Sequence, residues 1–424
     1  MYPLIPGATL TYAGSVEWLD GHMPARLRMK GEEERISKGE KKMSVPSTNQ
    51  QSAAGPAIIT DAFTDEQAER RDAFAGRLFQ SCAAGLEMLT IYLGNRLGLY
   101  RALAEHGAAT STELAERANT SERYTREWLE QQAAADILRV DNVTAAARDR
   151  RYVLPTEYAE VLLDETSLNY LAPLPSAVFG FAAQLPAVAD AFQHGGGVPW
   201  ADYGDEGRAM QAALNRPVFL KVLGQEWLPS IADVHARLQA DPSARVADIA
   251  CGYGWSSIGI ARAYPNARID GFDSDAPSIA AARAIAEQHG LSDRITFTTR
   301  DAADPALAGR YDLVTVFEAL HDMARPVEAL RAIRRLVADD GAVIIMDEHV
   351  GESFTAPADE VERFMYCASV LLCLPAGMAE QPSAGTGTIM RPDTLRRYAS
   401  EAGFRDVEIL PIEHPFFRFY RLYA

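Results

Sequence analysis

The stretch "RVADIACGYGWSS", residues 245–257, restricts the fold more than any other. A short apolar run reads as a buried strand, Gly252 and Gly254 allow a tight turn, and a helical pattern follows through Ala263. The alternation then repeats. "ARIDGFD" is a second strand with a helix over 276–289 behind it, and "RITFTTRD", "YDLVTVFE" and "GAVIIMDE" are the third, fourth and fifth. Strands separated by helices must cross over and lie parallel, which predicts a doubly wound α/β sheet with its ligand edge at the strands' carboxyl ends. "DVEILPI" and "FFRFYRLY", joined through "EHP", suit a terminal antiparallel hairpin.

The informative residues fall on that edge. Gly252 and Gly254 let a ligand approach the backbone at the start of a helix, whose free N–H groups face it. Asp273 ends the second strand 21 residues after Gly252, where an acid can hold the two hydroxyls of a ribose. Asp301 ends the third and is placed to accept from an exocyclic amine. A turn or cap explains any one acid; three such features on consecutive strand tips predict a nucleoside-bearing ligand. In "VFEALHDMARP", 316–326, His321 follows the fourth strand as a candidate proton acceptor, while the plainer reading has His321 or Asp322 opening a helix over 324–337.

The preceding half is organised differently. Residues 1–70 are charged and then small and polar, so disorder is expected there. "KGEKKM" ends at Met43 and would be encoded by a purine-rich stretch of the kind that precedes a bacterial start codon. Residues 1–42 are therefore either upstream sequence read in frame, with Met43 the initiator, or a genuine tail. From 71 to 170 the pattern is helical: Phe74, Leu78, Leu86, Leu89, Leu93 and Leu97 form a stripe, and Thr110 with Glu113 reads as a capping box. Ser121 caps a second helix, and "DILRV" and "RYVLP" form a hairpin, giving a winged helix. Glu122, Glu127 and Glu130 on its second helix make a poor surface for phosphates. Residues 171–240 read as a helical linker and lid, with "QHGGGVPWADYG" at 193–204 as lid or connector.

Composition excludes several classes. A net charge of −17 disfavours a chain that lives on nucleic acid. The start lacks the basic and apolar regions of a secretory signal, and no apolar run approaches the ~20 residues of a membrane span. Cys82, Cys251, Cys367 and Cys373 are scattered without a CxxC pair, which predicts reduced thiols in a cytoplasm and no metal.

"DIACGYG", "GFDSD" and "TTRDAAD" together resemble the class I S-adenosylmethionine-dependent methyltransferases. The resemblance implies S-adenosylmethionine as cofactor, with Asp248 toward its methionine amino group, Asp273 on the ribose and Asp301 on the adenine side. Further cofactor contacts are expected from Cys251, Gly252, Gly254, Ala302 and Phe317. Ser257 stands where a nicotinamide fingerprint needs its third glycine. Ala250 replaces a usual glycine, which is compatible if it keeps a negative φ. The winged-helix layout and "ALHDMARP", similar to the "LHDW" segment of small-molecule O-methyltransferases, imply a seven-stranded domain over 241–424, a homodimer, and His321 as base toward an oxygen acceptor. Bacterial winged-helix methyltransferases of unknown substrate are similar throughout 71–424. Glu348 and Glu380 are candidates to orient the imidazole, Tyr253, Trp255 and Phe317 to sit near the sulfonium, and 366–388 to wall the acceptor. A regulator that senses the cofactor, or an enzyme that uses it without methylating, are the alternatives.

Overall fold

The computed structural model describes residues 63–424; the expectations for the first 62 residues, including a start at Met43, lie outside them. The chain divides into two units after Leu78. Helix α1 (Asp65–Arg96) begins earlier than expected, so residues 65–70 are helical rather than disordered. A capping pair explains the start: Gln67 N donates to Thr64 Oγ1 and Thr64 N to Gln67 Oε1.

In the larger unit α2 (Leu99–His106), α3 (Ser111–Ala118) and α4 (Glu122–Ala134) precede a wing of β1 (Arg139–Val140) and β2 (Tyr152–Val153), and α5 (Thr156–Leu163) closes the motif. The capping box at Thr110 and Glu113 is formed. Leu103, Leu114, Trp128, Leu129 and Tyr152 make the core. The wing's basic cluster is spent on acids: Arg148 on Glu122, Arg150 on Glu130 and Arg151 on Glu113.

Helices α6 (Pro173–His194) and α7 (Gly204–Val218) follow. Without a break, α7 continues into a π-helical stretch, Phe219–Trp227, then α8 (Leu228–Ser230) and α9 (Ala232–Gln239). The alternating half is β3 (Arg245–Ile249), α10 (Trp255–Ala263), β4 (Arg268–Asp273), α11 (Ala276–Gln288), β5 (Ile295–Thr299), β6 (Tyr311–Phe317), α12 (Pro326–Leu336) and β7 (Val337–Glu348). Then come α13 (Glu360–Ala368), α14 (Leu374–Met378), α15 (Pro392–Ala402), β8 (Asp406–Ile409) and β9 (Phe417–Tyr423). The sheet order is β5-β4-β3-β6-β7-β9-β8, with β9 antiparallel to both neighbours and the other pairs parallel. Because β3 lies between β4 and β6, the winding direction reverses there and opens a crevice above its end.

A π-helical stretch, Ser369–Cys373, joins α13 to α14, and this 19-residue helix, Glu360–Met378, is the one among the described residues long and apolar enough to cross a membrane. Charges in its first turn keep its uninterrupted apolar run short of a span. In the fold, its Leu372 and Cys373 pack with Val188, Val198 and Tyr203, and its Glu362 pairs with Arg391 at 2.7 Å.

Val314, Val316, Ile333, Leu336, Ile345 and Tyr398 fill one face of the sheet under α12 and α15. On the other, α10 lies close to the π-helical stretch because the contact is made by glycines. A Cβ on Gly259 would run into the Phe219 carbonyl, and one on Gly224 into Ala263. Backbone cannot swing aside, so Gly259→Ala should destabilise the protein by about 1–3 kcal/mol. Urea unfolding should show a lower midpoint at unchanged slope; an unmoved midpoint would mean that this contact yields.

Candidate active site

Asp248 lies 1% exposed beneath the glycine turn and holds it. Its Oδ2 accepts from Ser256 and Ser257, both at 2.6 Å, and its Oδ1 from Thr315 at 2.8 Å. Burial raises its pKa against those three donors. Both oxygens are thus engaged within the protein, and the carboxylate ties β3, α10 and β6 together. Ala250 corrects the sequence expectation: its φ is +56°, the left-handed region, at a cost of roughly 1–2 kcal/mol for a residue with a Cβ. Cys251 is buried, its thiol pushed well up by burial, and its N–H donates to Phe272 O.

Above this turn is room for a ligand. A Cβ on Gly252 would meet nothing within 4 Å, whereas one on Gly254 would strike the Phe297 ring. Asp273 Oδ2 accepts from Gly252 N and Oδ1 from Asp275 N, both at 2.8 Å, which fixes the carboxylate while leaving lone pairs for ribose hydroxyls. Burial raises its pKa too. Asp301 lies two residues beyond β5, half exposed, with Arg325 at 2.6 Å. Ala302 is half buried against the core behind it. These residues and the N-terminus of α10 suit a nucleoside whose ribose reaches Asp273.

Of the three aromatics expected near a sulfonium, Phe317 is buried and stacks on Phe219 at 5.6 Å, a partner the sequence did not suggest. Tyr253 is half buried. Trp255 is taken up by Arg216, whose guanidinium lies 4.7 Å from the ring. Helix α7 also sends Arg208 onto both oxygens of Asp275, at 2.8 and 3.0 Å, and Gln211 and Asn215 onto Glu318 Oε2. No motif marked these residues.

His321 lies in a short 3₁₀ turn after β6, 2% exposed. Its Nδ1 is 2.8 Å from Asp347 Oδ1 and 3.5 Å from Glu348 Oε2; its Nε2 is 3.3 Å from Asp322 Oδ1. Asp347, rather than either expected acid, therefore orients the ring. Glu348 is a second, longer contact, and Glu380 is exposed. Burial alone would lower the His321 pKa; Asp322, Asp347 and Glu348 outweigh it and hold the pKa well above 6.5. Cys373 completes a group with His321 and Asp322 whose ligand-type atoms lie within 4.8 Å of one another, a proximity that sequence spacing concealed.

Part of the segment 366–388 packs against the His321 turn. Thr388 is buried, and a Cβ on Gly377 would come within 3.1 Å of Asp322 O. The loop 193–204 is packed rather than loose: Val198 N donates to Pro375 O and Tyr203 Oη to Leu371 O.

Glu318 supplies a pH test. Its φ is +51°, its Oε1 is buried without a partner, and burial raises its pKa from 4.5 to about 7. An acid with a higher pKa folded than unfolded favours folding below about pH 4.5 and loses that advantage as the pH rises through 7. Glu318→Gln should therefore match the parent near pH 4 and exceed it by about 1–3 kcal/mol at pH 8. Parallel stability curves across that window would remove the buried-charge account.

Two family models match the chain: a methyltransferase domain over residues 240–381 and an Rv2258c-like winged helix-turn-helix domain over 84–163. The ubiquinone biosynthesis O-methyltransferase of Aromatoleum aromaticum is 27% identical over 170 residues, 40% of this chain and 68% of that protein. The trans-aconitate 2-methyltransferase of Streptomyces avermitilis is 32% identical over 135 residues, 31% of this chain and 49% of that one. An uncharacterised Synechococcus protein is 31% identical over 102 residues, 24% of each chain, so the matches span from a quarter to two thirds of these relatives. Among solved structures, mitomycin 7-O-methyltransferase superposes with a TM-score of 0.62 at 19% identity, covering 84% of this chain and 99% of that one. Human N-acetylserotonin methyltransferase in complex with S-adenosylmethionine gives 0.60 at 18%, covering 82% and 98%. The chain thus carries a methyltransferase domain with the class I fold, S-adenosylmethionine-dependent, behind an N-terminal winged-helix domain.

Proposed function

We propose that the protein transfers the methyl group of S-adenosylmethionine to an oxygen of a small molecule, with His321 as general base. The observation that carries this reading is the His321–Asp347 pair at 2.8 Å, at the carboxyl edge beside the glycine turn. Asp347 accepts from Nδ1 and so leaves Nε2 as the proton acceptor. The cofactor supplies an activated methyl; the chain holds it through Asp273, the turn and α10, and keeps the acceptor in line. The pairing of Arg148, Arg150 and Arg151 with acids favours this reading over a DNA-binding regulator.

Release of S-adenosylhomocysteine, screened over small phenols and alcohols, tests the activity. Asp273→Ala should weaken S-adenosylmethionine binding by ~1.5–3 kcal/mol, as calorimetry would report. His321→Ala should lower the rate at least about a hundredfold with cofactor affinity kept. Since the base works only deprotonated, the rate should climb with pH through an inflection above 6.5. A near-normal rate in His321→Ala would leave proximity as the sole device.

We further propose a symmetric homodimer. Phe79, Leu86 and Leu93 of α1 and Phe179, Leu185 and Phe192 of α6 are exposed, a load of apolar surface that a second copy would cover. Light scattering should report a dimer at micromolar concentration; a monomer would contradict this.

A further inference from the structure

The sheet order lays a nucleoside-bearing ligand out along one rim. The strands run β5-β4-β3-β6, so Asp301, Asp273, the glycine turn and Glu318 follow one another along it. With adenine at Asp301 and ribose at Asp273, the amino-acid end of S-adenosylmethionine extends over β3 toward β6, two strand spacings or about 10 Å beyond β4. That end carries an ammonium, which calls for an acid. Asp248, toward which the resemblance points the amino group, has both oxygens engaged by Ser256, Ser257 and Thr315. Asp275 is held by Arg208. Asp322, Asp347 and Glu348 lie against the His321 ring at 3.3, 2.8 and 3.5 Å.

Glu318 remains. It directly follows the last residue of β6, and β6 pairs with β3 as far as Val316 and Ile249, so Glu318 stands beside the turn that begins at Ala250. Its Oε2 accepts from Gln211 at 3.0 Å and Asn215 at 3.1 Å, while its Oε1 is buried without a donor. Both donors are neutral amides on α7, the helix that also reaches Asp275 through Arg208 and Trp255 through Arg216, and so crosses the crevice from β4 to β6. An unpaired carboxylate oxygen in that position is costly until a cation completes it. The raised pKa agrees: burial is its chief cause and Asp347 adds to it, while Asn215, His321 and Gln211 oppose it without making up the difference. The residue as a whole is only half buried, and the torsion that turns a glutamate's carboxyl group is soft, so Oε1 can come to the open side.

We propose that Glu318 holds the α-ammonium of S-adenosylmethionine, with Gln211 and Asn215 fixing its carboxyl group from α7. Glu318 then selects the amino-acid end of the cofactor as Asp273 selects its ribose. This rests on S-adenosylmethionine being the cofactor, and on neither the acceptor nor the role of His321.

Calorimetry on the full chain compares S-adenosylhomocysteine, its deaminated form with hydrogen in place of the amino group, and 5′-methylthioadenosine, which keeps only adenine, ribose and thioether. Glu318→Gln should weaken S-adenosylhomocysteine at least about tenfold and leave the other two within about twofold. The isostere keeps the volume, and its carbonyl must face Gln211 and Asn215, which turns its NH2 toward the ammonium. Glu318→Ala should show the same selectivity, and serves if the amide variant does not fold. Unchanged affinity for S-adenosylhomocysteine overturns the proposal. An equal loss for all three ligands overturns it as well, since that is the mark of a merely structural residue. A parent that does not bind S-adenosylhomocysteine would refute the cofactor reading itself. A parent that binds it, with a variant lacking the selectivity, would refute only the role of Glu318.

Discussion

Three hydroxyls on one buried carboxylate hold the site in shape. Asp248, next to last in β3, takes hydrogen bonds from Ser256 and Ser257 on α10 and Thr315 on β6. Those bonds stabilise a charge that burial would otherwise make costly. In return they fix the angle between strand and helix, and so the direction in which the N–H groups of α10 point. Gly252, Gly254 and Asp273 are positioned by that angle. The resemblance sends Asp248 toward the cofactor's amino group; its bonding gives it structural work as well.

Much of this was readable in the chain. The strand–helix alternation predicted the parallel sheet and put Gly252, Asp273 and Asp301 on its carboxyl rim, because parallel strands leave those ends on one side. What escaped were contacts between segments far apart in sequence. Arg208, Gln211 and Asn215 stand on α7 at helical spacing and look like any solvated face until the fold brings Asp275 and Glu318 against them. Asp347 was hidden by its neighbour: two acids end β7 and both reach His321, Asp347 at 2.8 Å and Glu348 at 3.5 Å. Ala250 escaped for a different reason, since its identity says nothing of the sign of its φ.

The charge balance around His321 follows from topology more than from any motif. Glu318 and Glu348 finish neighbouring strands, Asp347 precedes one of them and Asp322 follows the ring directly. One imidazole therefore sits among four carboxyl groups with little water to separate them. Burial raises the pKa of Glu318, Asp322 and Glu348, so part of that charge is relieved by retained protons.

Ala250 and Glu318 share a feature that bears on how the site can change. Both carry a Cβ in left-handed backbone, and they terminate β3 and β6, which pair side by side. Glycine at either position would relax the local strain but would also give the turn many more conformations. Stability and positional accuracy are thus opposed at these two points of the rim. A lineage of such chains could drift toward thermal robustness by accepting glycine there, with a less sharply defined crevice as the result.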